Sequence, residues 1–177
     1  KPWVDRDPVL AHVGRNTQFA VYAAGEAFQD AGLDKLDYDP KRVGIYFAAG
    51  DGGVDMKSFV KSLCASWGTN GEVIDKKNYL KNGVAILDRY AEFEQEPCMT
   101  LAHLSRLFRV RGPVSNCLTA CAASSQAIGE AYETIRRGDA DIMLTGGAHS
   151  MIHPFGVAGF NLLTALTTKN DDPKKAS

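Results

Sequence analysis

The last third of the chain repeats one arrangement twice. A short β-rich apolar run hands over, through a tight turn, to an amphipathic helical stretch, and no other feature of the sequence constrains the fold so much. Residues 114–119 read as a strand, and residues 121–137 read as a helix with Ala127, Ile128, Ala131, Tyr132 and Ile135 on one face and Gly138 as its stop. Residues 140–145 read as a second strand ended by Gly146 and Gly147, and 154–166 as a further helix. Parallel strands need crossovers, and helical crossovers cover both faces of the sheet they join. The expected fold class is therefore α/β with a mostly parallel sheet and helices on both faces.

Upstream the same logic yields one more strand and several helices. Phe19, Ala20, Ala23, Ala24, Ala27, Phe28 and Ala31 recur at helical spacing over 16–32, with Asn16 as the expected N-cap and Gly32 as the stop. Residues 43–49 are β-rich and apolar and read as a buried strand, followed by a loop at 50–53. Helices are expected over 56–67 and 79–93, with a break at 68–71. Met99, Leu101, Leu104 and Leu107 suit another helix that runs to about Phe108, with Pro97 in its first turn and Arg111-Gly112-Pro113 as a break. The polar tail at 167–177 is expected to be loose.

Three strands make a small sheet for an α/β domain of 177 residues. The chain opens on Lys1-Pro2-Trp3, without an initiator Met, an apolar h-region or a transit pattern, and so reads as an interior piece of a longer protein.

Composition removes several function classes. The chain is 45% hydrophobic and 23% charged, with 20 basic against 21 acidic side chains and a net charge of −1. No apolar run approaches the ~20 residues of a bilayer-spanning helix, so no membrane is expected as a partner. Nothing resembles a basic stripe, so no nucleic acid is expected either. Cys64, Cys98, Cys117 and Cys121 form no CxxC pair and meet no paired His spacing, which argues against a metal site and fits a reducing, cytoplasmic setting.

Cys121 stands where a strand hands over to a helix, in the run Asn116-Cys117-Leu118-Thr119-Ala120-Cys121-Ala122-Ala123-Ser124-Ser125. A thiol at a helix N-terminus faces backbone N–H groups and the positive end of the macrodipole, which together favour its thiolate and can hold an oxyanion. Such a cysteine can attack a thioester or ester carbonyl while its own amide stabilises the tetrahedral intermediate, and Ala120, Ala122 and Ser124 leave room for a substrate. Position alone also suits a small hydrophobe in a tight turn. Cys117, inside the strand, reads as core.

These residues carry a resemblance. Arg111-Gly112-Pro113, Thr119-Ala120-Cys121-Ala122, Ala127-Ile128-Gly129-Glu130-Ala131, Arg137-Gly138-Asp139-Ala140-Asp141 and Gly146-Gly147-Ala148 are similar to the β-ketoacyl synthase family. The runs from Pro154 to Phe160 and from Ala165 to Pro173 resemble the branch that elongates acyl chains on an acyl carrier protein, and the order holds everywhere outside 54–96. The resemblance implies the N-terminal half of a thiolase-like fold and a decarboxylating Claisen condensation, with Cys121 as nucleophile and Phe160 lining the acyl pocket. It implies no resident cofactor, since substrates ride on the phosphopantetheine arm of acyl carrier protein. It also implies a homodimer in which the strand at 114–119 pairs antiparallel with its twin, and it makes Lys169 a candidate carrier contact.

The match stops short in places. The family's catalytic histidines and lysine come from a C-terminal half, and its first strand precedes 16–32; neither is present, so residues 1–177 alone are expected to be inactive. His12, His103, His149 and His153 match no catalytic motif and read as surface or loop histidines. Asp51 and Glu96 stand where the family is usually small or apolar, near the end of the acyl pocket and the dimer contact respectively, and a carboxylate buried against a fatty chain would cost several kcal/mol. A short, polar or polyketide-like substrate is therefore as consistent as a fatty acyl chain. Two further readings are a non-catalytic partner subunit, which the intact Thr119-Ala120-Cys121 argues against, and a thiolase-fold acyltransferase acting on coenzyme A thioesters.

Overall fold

The computed structural model describes residues 7–50, 55–68 and 74–175. Three strands, β1 (Val43–Ala49), β2 (Val114–Cys117) and β3 (Ile142–Ala148), form one parallel sheet in the order β2-β1-β3. The helices are α1 (Arg15–Asp30), α2 (Met56–Ala65), α3 (Lys76–Ile86), α4 (Arg89–Phe93), α5 (Pro97–Leu107), α6 (Ala123–Arg136) and α7 (Pro154–Leu162).

β1 is central because both its faces are apolar. Val43, Ile45, Phe47 and Ala49 join Leu10, Val21, Phe28, Leu101, Leu104 and Phe108 in one buried cluster beneath α1 and α5. The alternate residues Tyr46 and Ala48 face Cys117, Ala123 and Ala127 on the side of α6. The two-residue period of the strand thus sorts its side chains between two layers of helix. Within the larger cluster the Phe28 and Phe108 rings stack with centroids 4.6 Å apart. A Thr17–Thr100 hydroxyl bond of 2.8 Å ties α1 to α5.

The expected elements are present with shifted ends, and each shift has a local cause. Asn16 does not cap α1: Gly14 does, and Asn16 is buried inside the first turn. The helix expected over 79–93 is two helices, because Leu87 is extended and the Asp88 carboxylate accepts the N–H groups of Tyr90 and Ala91 to start α4. Asp55 and Asp75 cap α2 and α3 in the same way. β2 ends at Cys117 rather than 119, and α7 ends at Leu162 rather than 166, where Thr164 turns left-handed with φ 54°.

β3 begins at Ile142, not at 140, because Asp141 is engaged sideways. Its carboxylate pairs with the Arg42 guanidinium at 2.5 and 3.0 Å, its N–H donates to the Arg42 carbonyl at 2.8 Å, and Arg42 also reaches the Gly138 carbonyl at 2.9 Å. Gly146 and Gly147 continue β3 rather than ending it. A Cβ on Gly147 would lie 3.1 Å from atoms of both Ser124 and Ala48, so the strand needs glycine there to pass beneath the start of α6.

Two further expectations are corrected. His103 is not a surface histidine: it is 5% exposed on α5, and its Nε2 lies 2.8 Å from Glu94 Oε2. The apolar face expected on α6 is split, since Ala127 and Ala131 pack on the sheet while Ile128, Tyr132 and Ile135 remain exposed.

Three carboxylates stand below their usual range. The side-chain bonds from Arg106 to Asp7, from Ser58 to Asp55 and from Arg42 to Asp141 are the leading causes, each opposed by desolvation. A carboxyl that ionises more readily in the folded chain adds stability above its unfolded value of about 3.9, and that stability is lost as pH falls through the lower folded value. Urea midpoints are therefore expected to drop as pH is lowered below about 4. A midpoint that holds steady to pH of about 2 would contradict these pairings.

Candidate active site

Because all three strands are parallel, their carboxyl ends lie along one edge of the sheet, the edge where open α/β sheets place their ligands. Gly50 follows β1 there, the turn to α6 follows β2, and His149 follows β3. Gly50 donates its N–H to the Ala148 carbonyl at 3.5 Å, and a Cβ on it would collide with the His149 ring. The Asn16 amide reaches the Gly50 carbonyl at 3.5 Å. Asn16, 2% exposed, is thus a bracket between α1 and this edge, a role its cap-like position at the head of a helical pattern concealed.

Cys121 is exposed and sits in a single 3₁₀ turn (Ala120–Ala122) between β2 and α6. Ala120, the residue before it, is left-handed with φ 49°, a conformation that costs an alanine roughly 1–2 kcal/mol and that reverses the chain direction at once. The regular helix accordingly starts at Ala123, two residues later than the sequence pattern implies. The turn takes up the next two amides: Ala122 N–H donates to the Thr119 carbonyl at 3.2 Å, and Ala123 N–H donates to the Ala120 carbonyl. Among the described residues the Cys121 N–H meets no main-chain acceptor.

Cys117 is core, as expected: it is 8% exposed, and its thiol donates to the Ala123 carbonyl at 3.2 Å. On the outer side, the Thr119 hydroxyl donates to Gln126 Oε1 at 2.8 Å. Phe160 lies on α7 with 40% of its surface exposed and belongs to neither buried cluster. Lys169 is an exposed loop residue whose N–H donates to Thr167 Oγ1 at 3.2 Å. Glu96 is an exposed residue at the head of α5, so its carboxylate carries no burial cost within this chain, whereas Asp51 lies outside the described residues.

The remaining histidines are placed as follows. His12 is exposed, His149 is an exposed loop residue over Gly50, and His153 caps α7 by accepting the Gly156 N–H on Nδ1 at 3.2 Å. Among the described residues no group of His, Cys, Asp and Glu could hold a metal ion, and no helix is long and apolar enough to cross a membrane.

A parallel sheet layered between helices is the fold this chain shares with the thiolase-like ketosynthases. A β-ketoacyl synthase structure from Burkholderia phymatum STM815 superposes with a TM-score of 0.72 at 28% identity, covering 97% of this chain and 38% of that one. The family model of the β-ketoacyl synthase N-terminal domain matches residues 8–177, and the chain belongs to that family. It is 34% identical over 157 residues to 3-oxoacyl-[acyl-carrier-protein] synthase 2 of Staphylococcus aureus strain N315, covering 89% of this chain and 34% of that protein. It is 30% identical over 171 residues to a Streptomyces halstedii protein named as a polyketide β-ketoacyl synthase 1, covering 97% of this chain and 38% of that protein. The chain therefore spans little more than a third of the length of each of these relatives.

Proposed function

We propose that this chain supplies the nucleophilic half of a β-ketoacyl-[acyl-carrier-protein] synthase, with Cys121 as the residue that carries the acyl group. The observation that bears most weight is an exposed thiol on a left-handed turn whose own amide is free of main-chain acceptors. The Cys121 thiolate attacks the carbonyl of an acyl carrier thioester, the Cys121 N–H holds the tetrahedral oxyanion, and the carrier thiolate departs. A malonyl carrier thioester then loses carbon dioxide, and the electron pair released at its α-carbon attacks the acyl-cysteine carbonyl. The C–S bond breaks and returns the thiolate. Polarising the malonyl thioester is assigned to histidines and a lysine outside these residues, so residues 1–177 by themselves do not complete the condensation.

Acyl carrier protein is the proposed partner, with Lys169 as a candidate contact and Phe160 as a candidate lining of the acyl pocket. A homodimer is proposed through β2, an outer strand of the sheet that begins with the exposed Val114 and is followed by the exposed Leu118. Fatty acyl and polyketide-like substrates are both compatible with this reading, since the chain resembles synthases of both kinds.

The native polypeptide is expected to release one carbon dioxide per 3-oxoacyl product when given acyl and malonyl carrier thioesters together. Absence of product with fatty and polyketide-like acyl donors alike would overturn the proposal.

A further inference from the structure

The turn that carries Cys121 is bridged twice by side chains, and we infer that Cys117 and Gln126 are positioning residues for the nucleophile. This rests on the reading of Cys121 as the acyl-carrying residue. A left-handed alanine persists only where its surroundings over-determine it, and the bonds within the 3₁₀ turn itself are short-range. Two longer bridges enclose it. On the buried side the Cys117 thiol, on the last residue of β2, donates to the carbonyl of Ala123, the first residue of α6, at 3.2 Å. On the solvent side the Thr119 hydroxyl donates to Gln126 Oε1 at 2.8 Å.

The two bridges overlap, one spanning 117–123 and the other 119–126, and both Ala120 and Cys121 lie within the overlap. Together they fix the chain on either side of Cys121, and therefore the direction of its Sγ and of its N–H. Attack and oxyanion binding need those two groups aimed at one carbonyl at the same time. Alkylation by a small reagent needs only an accessible thiol. Cys117, 8% exposed, and Gln126, exposed but bonded through its oxygen, are not needed to touch substrate to act in this way.

The test compares two rates at Cys121 in the native polypeptide: single-turnover acylation by an acyl carrier thioester, followed by mass spectrometry, and alkylation by iodoacetamide. C117A removes the buried donor and Q126L the outer acceptor, whereas C117S and Q126E keep a donor and an acceptor oxygen respectively. C117A and Q126L are expected to be acylated about tenfold more slowly while alkylation changes by less than about twofold. C117S and Q126E are expected to recover acylation at least in part. Because Gln126 lies on the surface, Q126L keeps the test open even if C117A fails to fold. Unchanged acylation in Q126L and C117A would overturn the inference, as would acylation and alkylation falling together in step with loss of folded protein. Failure of the wild-type protein to be acylated by any donor would instead overturn the assignment of Cys121 itself.

Discussion

Cys121→Ala is expected to leave the protein folded and to lower condensation by more than about a thousandfold, because no other thiol can take its place. Cys117 is buried and its thiol is engaged with the Ala123 carbonyl. Cys64 lies in α2 and Cys98 in α5, both exposed and neither on the turn that joins β2 to α6. Cys121→Ser should be almost as inactive, since a hydroxyl without a neighbouring base is a far weaker nucleophile than a thiolate. The Cys121 side chain is exposed and takes no part in the two bridges around it, so thermal midpoints should move by no more than ~2 °C. The measurement is steady-state condensation beside thermal unfolding of the same preparations. Retained activity in Cys121→Ala would remove the residue from the reaction.

Gly112→Ala is expected to be strongly destabilising. A Cβ at Gly112 would lie 2.5 Å from the Val43 carbonyl oxygen and 2.8 Å from that of Lys41. Both are main-chain atoms, and neither can swing aside. Gly112 N–H donates to the Val43 carbonyl at 2.9 Å, Arg111 N–H to Pro40 at 2.8 Å, and Ile45 N–H to the Pro113 carbonyl at 2.8 Å. Together these bonds bring β2 alongside β1, the strand that all the layers share. Pushing the segments apart would forfeit one or two of them, at about 1 kcal/mol each, and add overpacking strain of about 1–3 kcal/mol. A total loss of about 2–5 kcal/mol follows, or a drop of roughly 4–20 °C in Tm for a domain of this size. Gly129→Ala is the control. A Cβ there meets nothing within 4 Å in the middle of α6, so the same substitution should stabilise the helix by up to ~1 kcal/mol. If both variants shift stability in the same direction, the close approach at Gly112 is not what constrains it.

Among the described residues the sequence pattern locates every strand and nearly every helix, because hydrophobic period and glycine punctuation are local signals. Gly32 and Gly138 do end their helices, with φ 69° and 79°. The failures share a different cause: partners that lie far away along the chain or across the fold. The Asp141 side chain is claimed by Arg42, ninety-nine positions earlier, and that contact delays β3. Gly147 reads as a strand terminator until Ser124 is seen to press on it. His103 looks like an ordinary polar residue on a helix until Glu94 folds back beside it. Asp88 is an exception of another kind, since an aspartate inside a continuing apolar period marks a new cap only if the preceding residue extends, as Leu87 does.

The site divides in the same way. The position of Cys121 between strand and helix was visible in the run from Asn116 to Ser125, and so was the burial of Cys117. The left-handed Ala120 was not, because alanine carries no mark of that conformation. It shifts the start of α6 by two residues and, among the described residues, leaves the Cys121 N–H without a main-chain acceptor. Thr119–Gln126 and Cys117–Ala123 were hidden for the reason given for Asp141, since each needs the turn in place before its partners meet.

The proposed function turns on the covalent chemistry of one sulfur, and peptide-mapped mass spectrometry of the native polypeptide after brief exposure to acyl carrier thioesters of graded length reads it directly. A single acyl mass on the peptide that contains Cys121, absent from those containing Cys64 and Cys98 and discharged by a malonyl donor, is the result expected. An adduct on another residue, or an adduct on Cys121 that malonyl thioester leaves in place, would contradict it.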